Sequence, residues 1–315
     1  MAQRLTEDAR GVFIISATPF TDDGAIDHAS IDRLTDFYLA SGVDGITILG
    51  MMGEAPKLTT AESEAVLTRV LKRVNGRVPV VVGVSNPGLD NMYALANVAM
   101  DNGAAGVMIA PNAASKTESN LVSLFETIAK ALKDVPIVYQ DFPLTTSMPI
   151  SAGAFVSIVE AVPSVVMLKH EDWPGLPKLS AVRESSEKRG ARRVSILCGN
   201  GGLYLPQELA RGADGAMTGF AYPEMLVEVV KRFHAGDQDG AEDVFDLYLP
   251  LVRHEQQPGF GLAVRKEILR RRGIISSAAT RAPGPKLDAT GHAELTRMMD
   301  RLARRLDGRL AAAAQ

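Results

Sequence analysis

The sequence predicts a (β/α)₈ barrel, in which eight parallel strands alternate with the helices that cover them. Eight short, apolar, β-rich segments begin about 20 to 35 residues apart, the spacing of a strand plus a crossover helix. Most of these segments are continuously apolar, as expected for parallel strands that are covered on both faces. The repeat extends over about 220 residues, a usual length for such a barrel.

The predicted strands are residues 11–17, 45–49, 78–83, 106–109, 136–139, 165–169, 194–199 and 215–218. The segments between them have apolar positions at helical spacing, and Thr59 with Glu62 forms a capping box at the start of one helix. A doubly wound sheet is the alternative fold. It would more often show Gly-x-Gly-x-x-Gly after its first strand, whereas this chain has Ala-Thr-Pro-Phe at residues 17–20.

The C-terminal part of the chain is predicted to be helical. Its expected helices are residues 224–234, 238–254, 260–272 and 292–306, and a Pro/Gly/Ala-rich connector, 277–285, precedes the last of them. We therefore expect two parts. Residues 1–222 would form the barrel with the active site, and residues 223–315 would form a helical extension packed on it.

Composition and charge narrow the class of protein. The chain has 315 residues, of which 46% are hydrophobic and 23% are charged, as in a soluble globular protein. A formal net charge of −3 gives no electrostatic reason to expect nucleic acid or an anionic membrane as a partner. No apolar run approaches the roughly 18 residues of a membrane span. The N-terminal segment lacks an apolar signal sequence, and the single Cys198 suits a reducing compartment, so we expect a cytoplasmic protein.

The carboxyl ends of barrel strands are where catalytic side chains lie. In this chain those ends are Thr18, the loop Gly50-Met51-Met52-Gly53-Glu54, Pro111-Asn112, Tyr139, Lys169, the loop Gly199-Asn200-Gly201-Gly202 and Thr218-Gly219. The glycine-rich loops can offer backbone N–H groups to a substrate carboxylate. These positions are therefore predicted to surround one site.

Lys169 is the most informative of these residues. It ends the apolar run 164–168 and is followed at once by His170-Glu171-Asp172. The charge of a lysine at the end of a buried strand must be paired, or its pKa must fall, and a neutral amine attacks carbonyl carbons. The alternative is a structural lysine paired with Glu171 or Asp172.

Tyr139 ends the strand before that of Lys169, and we expect the two side chains to face each other across the barrel mouth. A tyrosine beside an amine could then carry protons to and from the reaction intermediates. The alternative is an ordinary strand aromatic. A metal site at His170-Glu171-Asp172 is not expected, because successive strand residues point to opposite faces and the chain has no second histidine cluster.

On these motifs the chain resembles the dihydrodipicolinate synthase/N-acetylneuraminate lyase family of class I aldolases and dehydratases. The resemblance runs from about residue 11 to about residue 275 and rests on Thr18-Pro19-Phe20, Gly50-x-x-Gly53-Glu54, the strand ends at Tyr139 and Lys169, and Gly199-Asn200. It implies a Schiff base between Lys169 and a 2-oxo acid such as pyruvate or a 2-keto-3-deoxy sugar acid. It further implies Tyr139 as a second catalytic residue, no cofactor, and a homo-oligomer, either a dimer or a tetramer.

The departures from the family pattern concern the substrate. In the family this loop is usually Gly-Thr-Thr-Gly-Glu, where the first threonine relays protons and the second helps to hold the carboxylate. In this chain Met51 and Met52 replace both threonines. Asn112-Ala113-Ala114 stands where the synthase has a tyrosine, and residues 139–146 lack the synthase's arginine. A synthase that makes a dicarboxylate is therefore disfavoured. Residues 140–141 and 249–255 are closer to the 2-keto-3-deoxy sugar acid dehydratases.

Substrate contacts are expected from Thr18, Gly50, Met51, Met52, Gly53, Gly199 and Asn200. Two other functions remain open. The first is a non-catalytic metabolite-binding barrel, which the two methionines favour. The second is a phosphate-binding barrel enzyme that uses the loops after the seventh and eighth strands, 199–202 and 218–219.

Overall fold

A computed structural model describes residues 4–111 and 117–313. Eight parallel strands close into a barrel in sequence order, and the first strand pairs with the last through Gly11 and Gly215. A side chain at Gly215 could not fit, because its Cβ would lie 1.9 Å from the carbonyl oxygen of Gly11. The fold class predicted from the sequence is therefore confirmed.

The strands are β1 (Gly11–Ile15), β2 (Gly45–Ile48), β3 (Val80–Gly83), β4 (Gly106–Ile109), β5 (Ile137–Asp141), β6 (Val165–His170), β7 (Ser195–Cys198) and β8 (Gly215–Thr218). The helices are α1 (His28–Ala40), α2 (Thr60–Val74), α3 (Leu89–Asp101), α4 (Glu118–Leu132), α5 (Pro143–Thr146), α6 (Ala152–Ala161), α7 (Gly175–Arg189), α8 (Leu205–Ala210), α9 (Pro223–His234), α10 (Gln238–Glu255), α11 (Gly261–Arg271) and α12 (Ala289–Ala313). The capping box of Thr59 and Glu62 is present at the start of α2.

Two apolar layers result from the alternation of side chains along each strand. One layer lies between the strands and the surrounding helices. The other fills the barrel and consists mainly of Phe13, Ile15, Val81, Met108, Val138, Met167, Leu197 and Met217. This interior layer is a packed floor, so any reacting group must lie above it, at the carboxyl ends of the strands.

The helices after β8 pack in two ways. Helix α9 packs against β1 and β8, so it completes the helical ring of the barrel. The further helices are added outside that ring, α10 against α9 and α12 against α10. The boundary expected at residue 222 stays a prediction, because α9 packs against both the barrel and α10. Among the described residues, no helix is long and apolar enough to cross a membrane.

Candidate active site

Lys169 is the second-to-last residue of β6, and its side chain is buried. Its Nζ is 2.9 Å from Oε2 of Glu171. The two side chains meet because residues two apart in an extended chain point to the same side. Of the two carboxylates considered as partners, Glu171 is therefore the one used, while Asp172 lies 2.8 Å from Lys178.

Gln140 of β5 lies beside Lys169 in the sheet register. Its Nε2 donates a hydrogen bond of 2.8 Å to the same Oε2 of Glu171. An ammonium group and an amide thus converge on one carboxylate oxygen at the barrel mouth. The sequence interpretation placed neither Gln140 nor Glu171 among the site residues. Counting in steps of two from Lys169 would have found Glu171.

Gly199 and Asn200, in the loop after β7, both lie next to Glu171. A Cβ atom on Gly199 would lie 2.2 Å from Cγ of Glu171, so only glycine leaves room for that side chain. The Nδ2 of Asn200 donates to the backbone carbonyl of Glu171 at 3.2 Å. Both predicted positions therefore lie next to Glu171, the residue whose carboxylate faces Lys169.

Tyr139 does not face Lys169, and the expected pairing of these two side chains is wrong. The ring of Tyr139 packs 4.9 Å from Phe125 of α4 and 5.6 Å from Phe155 of α6, in the layer outside the barrel. In the register Tyr139 lies beside Leu168, and the next residue, Gln140, lies beside Lys169. Neighbouring strands bring two residues together only when both point to the same face.

The environment of the Tyr139 hydroxyl also opposes a role in proton transfer. The hydroxyl is buried and has no hydrogen-bond partner among the described residues. Burial raises the pKa of this phenol well above its ordinary value, and the nearby Asp141 raises it further. Tyr139 therefore acts as a packing residue between the barrel and its helices.

The outward face of the same strand ends carries a second polar group. The Nε2 of His170 donates to the carbonyl of Gly175 at 2.9 Å, and its Nδ1 lies 3.7 Å from Asp141, which also contacts Lys178 at 2.7 Å. Burial acts to lower the pKa of His170, but Asp141 and the Gly175 carbonyl raise it on balance. These contacts attach the start of α7 to the barrel.

The loop at residues 50–53 covers the barrel interior. Gly50 lies over Ile15 and Met108, and Met52 packs against the interior apolar layer. Thr18 donates from Oγ1 to the carbonyl of Gly53 at 2.7 Å and so holds the loop in place.

The backbone of this loop has unused donors. In the described parts of the chain, no protein acceptor takes the N–H groups of Met51 and Met52. Two adjacent free N–H groups at the barrel mouth can bind a substrate carboxylate.

The loop after β7 does not have free N–H groups of this kind. The N–H of Gly201 donates to Oγ1 of Thr218, that of Gly202 to Gly199, and that of Leu203 to Asn200. These three donors are used within the protein, so the loop after β7 offers no pair of adjacent free N–H groups to a phosphate. No group of three or more His, Cys, Asp or Glu side chains within residues 4–111 and 117–313 could hold a metal ion. Residues 112–114, which bear on the synthase comparison, lie outside the described residues.

Comparisons with known proteins concern the family and the fold of the chain. A sequence profile described as the Dihydrodipicolinate synthetase family matches residues 8–302. The chain is 30% identical over 311 residues to the L-2-keto-3-deoxyarabonate dehydratase of Azospirillum brasilense, covering 98% of this chain and 97% of that protein. It is 34% identical over 235 residues to the 4-hydroxy-tetrahydrodipicolinate synthase of Sorangium cellulosum, covering 73% of this chain and 76% of that protein.

Solved structures share the fold of this chain. The crystal structure of a dihydrodipicolinate synthase from Rhodopseudomonas palustris superposes with a TM-score of 0.92 and 50% sequence identity, covering 95% of this chain and 100% of that chain. The structure of YagE from Escherichia coli K12 in complex with pyruvate has a TM-score of 0.85 at 24% identity, covering 93% of this chain and 98% of that chain. The second likeness concerns the fold alone.

Proposed function

The chain belongs to the dihydrodipicolinate synthetase family and is a lyase of that family, and we propose that it acts on a 2-oxo acid through a Schiff base at Lys169. One observation carries this proposal. A buried lysine amine lies at the carboxyl end of a barrel strand, 2.9 Å from a carboxylate that can receive its proton. That is the arrangement of a nucleophile beside a base.

Formation of the Schiff base follows from the contact between Lys169 and Glu171. Glu171 takes a proton from the ammonium group, and the neutral amine attacks the keto carbon, C2. The former carbonyl oxygen takes one proton from the attacking nitrogen and one back from Glu171, and its loss as water leaves an iminium ion. Its positive charge then lies where the ammonium charge lay, next to the Glu171 carboxylate, which stabilises it.

We propose dehydration of a 2-keto-3-deoxy sugar acid as the reaction. A base removes a proton from C3, and the electron pair of that C–H bond moves toward the iminium nitrogen to form an enamine. The enamine then expels the C4 hydroxyl, which leaves as water with a proton from the same group. Hydrolysis of the resulting iminium releases the product and restores the amine of Lys169.

Glu171 is the residue we assign to these proton transfers. Among the described residues it is the carboxylate in contact with Lys169, and the amide of Gln140 orients it through the bond to Oε2. A carboxylate placed this way can serve as base at C3 and as acid at the leaving hydroxyl. It takes the role that the resemblance had given to Tyr139.

The substrate carboxylate is proposed to bind the free N–H groups of Met51 and Met52, with Thr18, Gly50 and Gly53 shaping the loop. Backbone donors do not depend on the side chains at these two positions. The thioethers instead add apolar wall to the pocket, and they cannot relay protons as hydroxyls do.

The choice of a dehydratase over a dicarboxylate-forming synthase has two supports. Residues 140–141 and 249–255 resemble those of the 2-keto-3-deoxy sugar acid dehydratases, one of which aligns over 98% of this chain. The loop hydroxyls of the synthase are replaced by methionines. An aldolase that releases pyruvate would use the same Schiff base, with Glu171 taking the proton of the C4 hydroxyl as the C3–C4 bond breaks.

The alternative of a non-catalytic metabolite-binding barrel rests on the replacement of both loop hydroxyls. A panel of 2-keto-3-deoxy pentonic and hexonic acids separates the candidates. A dehydratase removes water from the substrate without releasing pyruvate. An aldolase releases pyruvate from it, and a binding protein does neither. If the protein turns over none of these acids, the proposed function is contradicted.

The remaining parts of the proposal concern the cell and the assembly. The reaction as written needs no cofactor and no metal. The lone cysteine, Cys198, is buried and fits a reducing compartment, so we assign the protein to the cytoplasm. We also propose a homo-oligomer, either a dimer or a tetramer, and light scattering on the purified protein measures it.

A further inference from the structure

The loop at residues 50–53 is joined to the C-terminal helices at one buried point. Glu54, directly after this loop, accepts a hydrogen bond of 2.6 Å from Nζ of Lys266 in α11. Both side chains are buried, with 1% and 0% of their surface exposed. We call this pair the Glu54–Lys266 clamp.

Further contacts surround the carboxylate of Glu54. Lys57 contacts it at 2.9 Å, and the backbone N–H of Arg281, in the connector before α12, donates to it at 3.0 Å. Glu54 has a φ of 55°, a left-handed conformation that costs energy for any residue other than glycine. The contacts of its side chain offset this cost and hold the backbone at the end of the loop.

Lys266 also links the loop after β1 to the same point. Its Nζ lies 4.3 Å above the ring of Phe20, and it donates to the carbonyl of Ala279 at 2.8 Å. Phe20 follows Thr18, whose hydroxyl holds the carbonyl of Gly53. The loops after β1 and β2 and the C-terminal connector therefore meet at one buried ammonium group.

We propose that the Glu54–Lys266 clamp is a positioning device for substrate binding, by which the C-terminal helices fix the loop that receives the substrate carboxylate. The inference rests on the proposed function, because it assumes that the N–H groups of Met51 and Met52 bind that carboxylate. The clamp touches no reacting atom. It acts by keeping the two N–H groups in place, so its loss weakens binding more than chemistry.

The geometry has a consequence for pH. Burial lowers the pKa of Lys266 to about 8, an effect that Glu54 opposes and that Lys57 and Arg281, the other charged groups facing it, reinforce. Above that pH the ammonium group becomes neutral and the clamp loses its charged bond. Binding through the loop should then weaken.

The test uses pyruvate and borohydride, with the full chain in every case. The measured quantities are the pyruvate concentration that gives half-maximal trapping on Lys169 and the maximal trapping rate. For Lys266→Met we expect the half-maximal concentration to rise by roughly tenfold or more, the effect of a small displacement of a binding group, with a maximal rate within about threefold of the wild type.

A double variant separates positioning from folding. Removing one member of a buried ion pair leaves an uncompensated charge and destabilises the protein, whereas removing both is far less costly. For Glu54→Gln/Lys266→Met we expect the melting temperature to return toward that of the wild type, while the half-maximal pyruvate concentration stays raised. If the pyruvate dependence recovers together with the melting temperature, the pair serves folding alone and the proposal is wrong.

Two comparisons complete the test. In the wild type, the half-maximal concentration should rise as the pH passes about 8, and this rise should be missing in the double variant. As a control, Arg183→Met removes the bond to Asp214 (2.7 Å), beside the start of β8 at the opposite end of the barrel, and should lower stability without changing the pyruvate dependence. Equal pyruvate dependence in all variants overturns the inference alone. Absence of trapping in the wild type with any 2-oxo acid overturns the proposed function as well.

Discussion

The two faces of the strand ends of β5 and β6 carry polar groups with different tasks. Toward the barrel, Gln140 and Lys169 meet at Glu171, at the barrel mouth. Toward the helices, Tyr139 is sealed among aromatic rings and His170 is tied to the start of α7. Successive residues of a strand point to opposite faces of the sheet. A shift of one residue therefore moves a side chain from the barrel mouth to the packing layer under the helices.

In a barrel, the type of a residue and its position in the sequence therefore do not by themselves assign a catalytic role. Tyr139 is a better acid–base group than Gln140 by chemistry, yet Gln140 is the one beside Lys169 in the register. Because Tyr139 faces the helices, burial raises its pKa well above the ordinary value, and its hydroxyl keeps its proton. The polar groups that face the mouth contact one another, next to the place where we propose that a substrate binds.

The largest effect is expected from the inward face. Lys169→Ala should lower turnover by on the order of 10⁴- to 10⁶-fold, as the loss of a nucleophile does in other enzymes. Lys169→Arg should not restore activity, because the guanidinium group stays protonated. Steady-state rates measured on whichever substrate of the panel the wild type turns over check this, and near-wild-type turnover by Lys169→Ala would remove the Schiff base from the account.

The second effect concerns the carboxylate on the same face. Glu171→Gln keeps the shape and the contacts with Gln140 but cannot take up a proton, so kcat should fall by roughly 10²- to 10⁴-fold. Substrate affinity should change less. If kcat is unchanged in this variant while KM rises, Glu171 orients the substrate and another group transfers the protons.

The third effect tests the outward face through stability. Glu208 of α8 is buried behind β7, and burial raises its pKa from its ordinary 4.5 to about 7, against the opposing effects of His170 and Cys198. Because the folded protein holds this proton more tightly than the unfolded chain, the unfolding free energy falls as the pH rises through about 7. The loss approaches about 3 kcal/mol.

Glu208→Gln removes that titration. Relative to the wild type, the variant should therefore gain stability between pH 4.5 and about 7, as measured by denaturant unfolding at a series of pH values. Its kcat should match the wild type, since the residue is on the outward face. A constant stability difference over this range would show that Glu208 is charged throughout.

The smallest effect is expected at Tyr139. Its hydroxyl has no partner among the described residues, so Tyr139→Phe should leave kcat and KM within about twofold of the wild type, and stability unchanged or slightly raised. A fall of kcat by 10²-fold or more, comparable to that of Glu171→Gln, would mean that Tyr139 reaches the reaction and that the contrast between the two faces is mistaken.

Much of the fold could be predicted because its signals are local. Strands buried on both faces are continuously apolar, and the four C-terminal helices have helical spacing, so their positions follow from the sequence pattern. The end of β5 was less predictable. Gln140 and Asp141 are polar and resemble the start of a loop, yet both continue the strand, since the pairing with β6 extends to His170.

The site was predictable in part. Lys169 stands out because a lysine at the end of an apolar run needs an explanation, and Gly199 and Asn200 follow from the position of their loop. The pairing of Gln140 with Glu171 depends on the register between two strands, which the sequence pattern does not specify. The clamp depends on contacts between residues 212 positions apart, such as those of Glu54 and Lys266, and local patterns carry no signal for them.

The most direct test of the account is a single trapping experiment on Lys169. The protein is incubated with pyruvate and borohydride, digested and examined by mass spectrometry, beside Lys169→Ala and Tyr139→Phe. The account predicts a reduced pyruvate adduct on Lys169 in the wild type and in Tyr139→Phe, and none at this position in Lys169→Ala. An adduct on another lysine, or no adduct with pyruvate or any of the 2-keto-3-deoxy sugar acids, would contradict the central claim that Lys169 is the nucleophile.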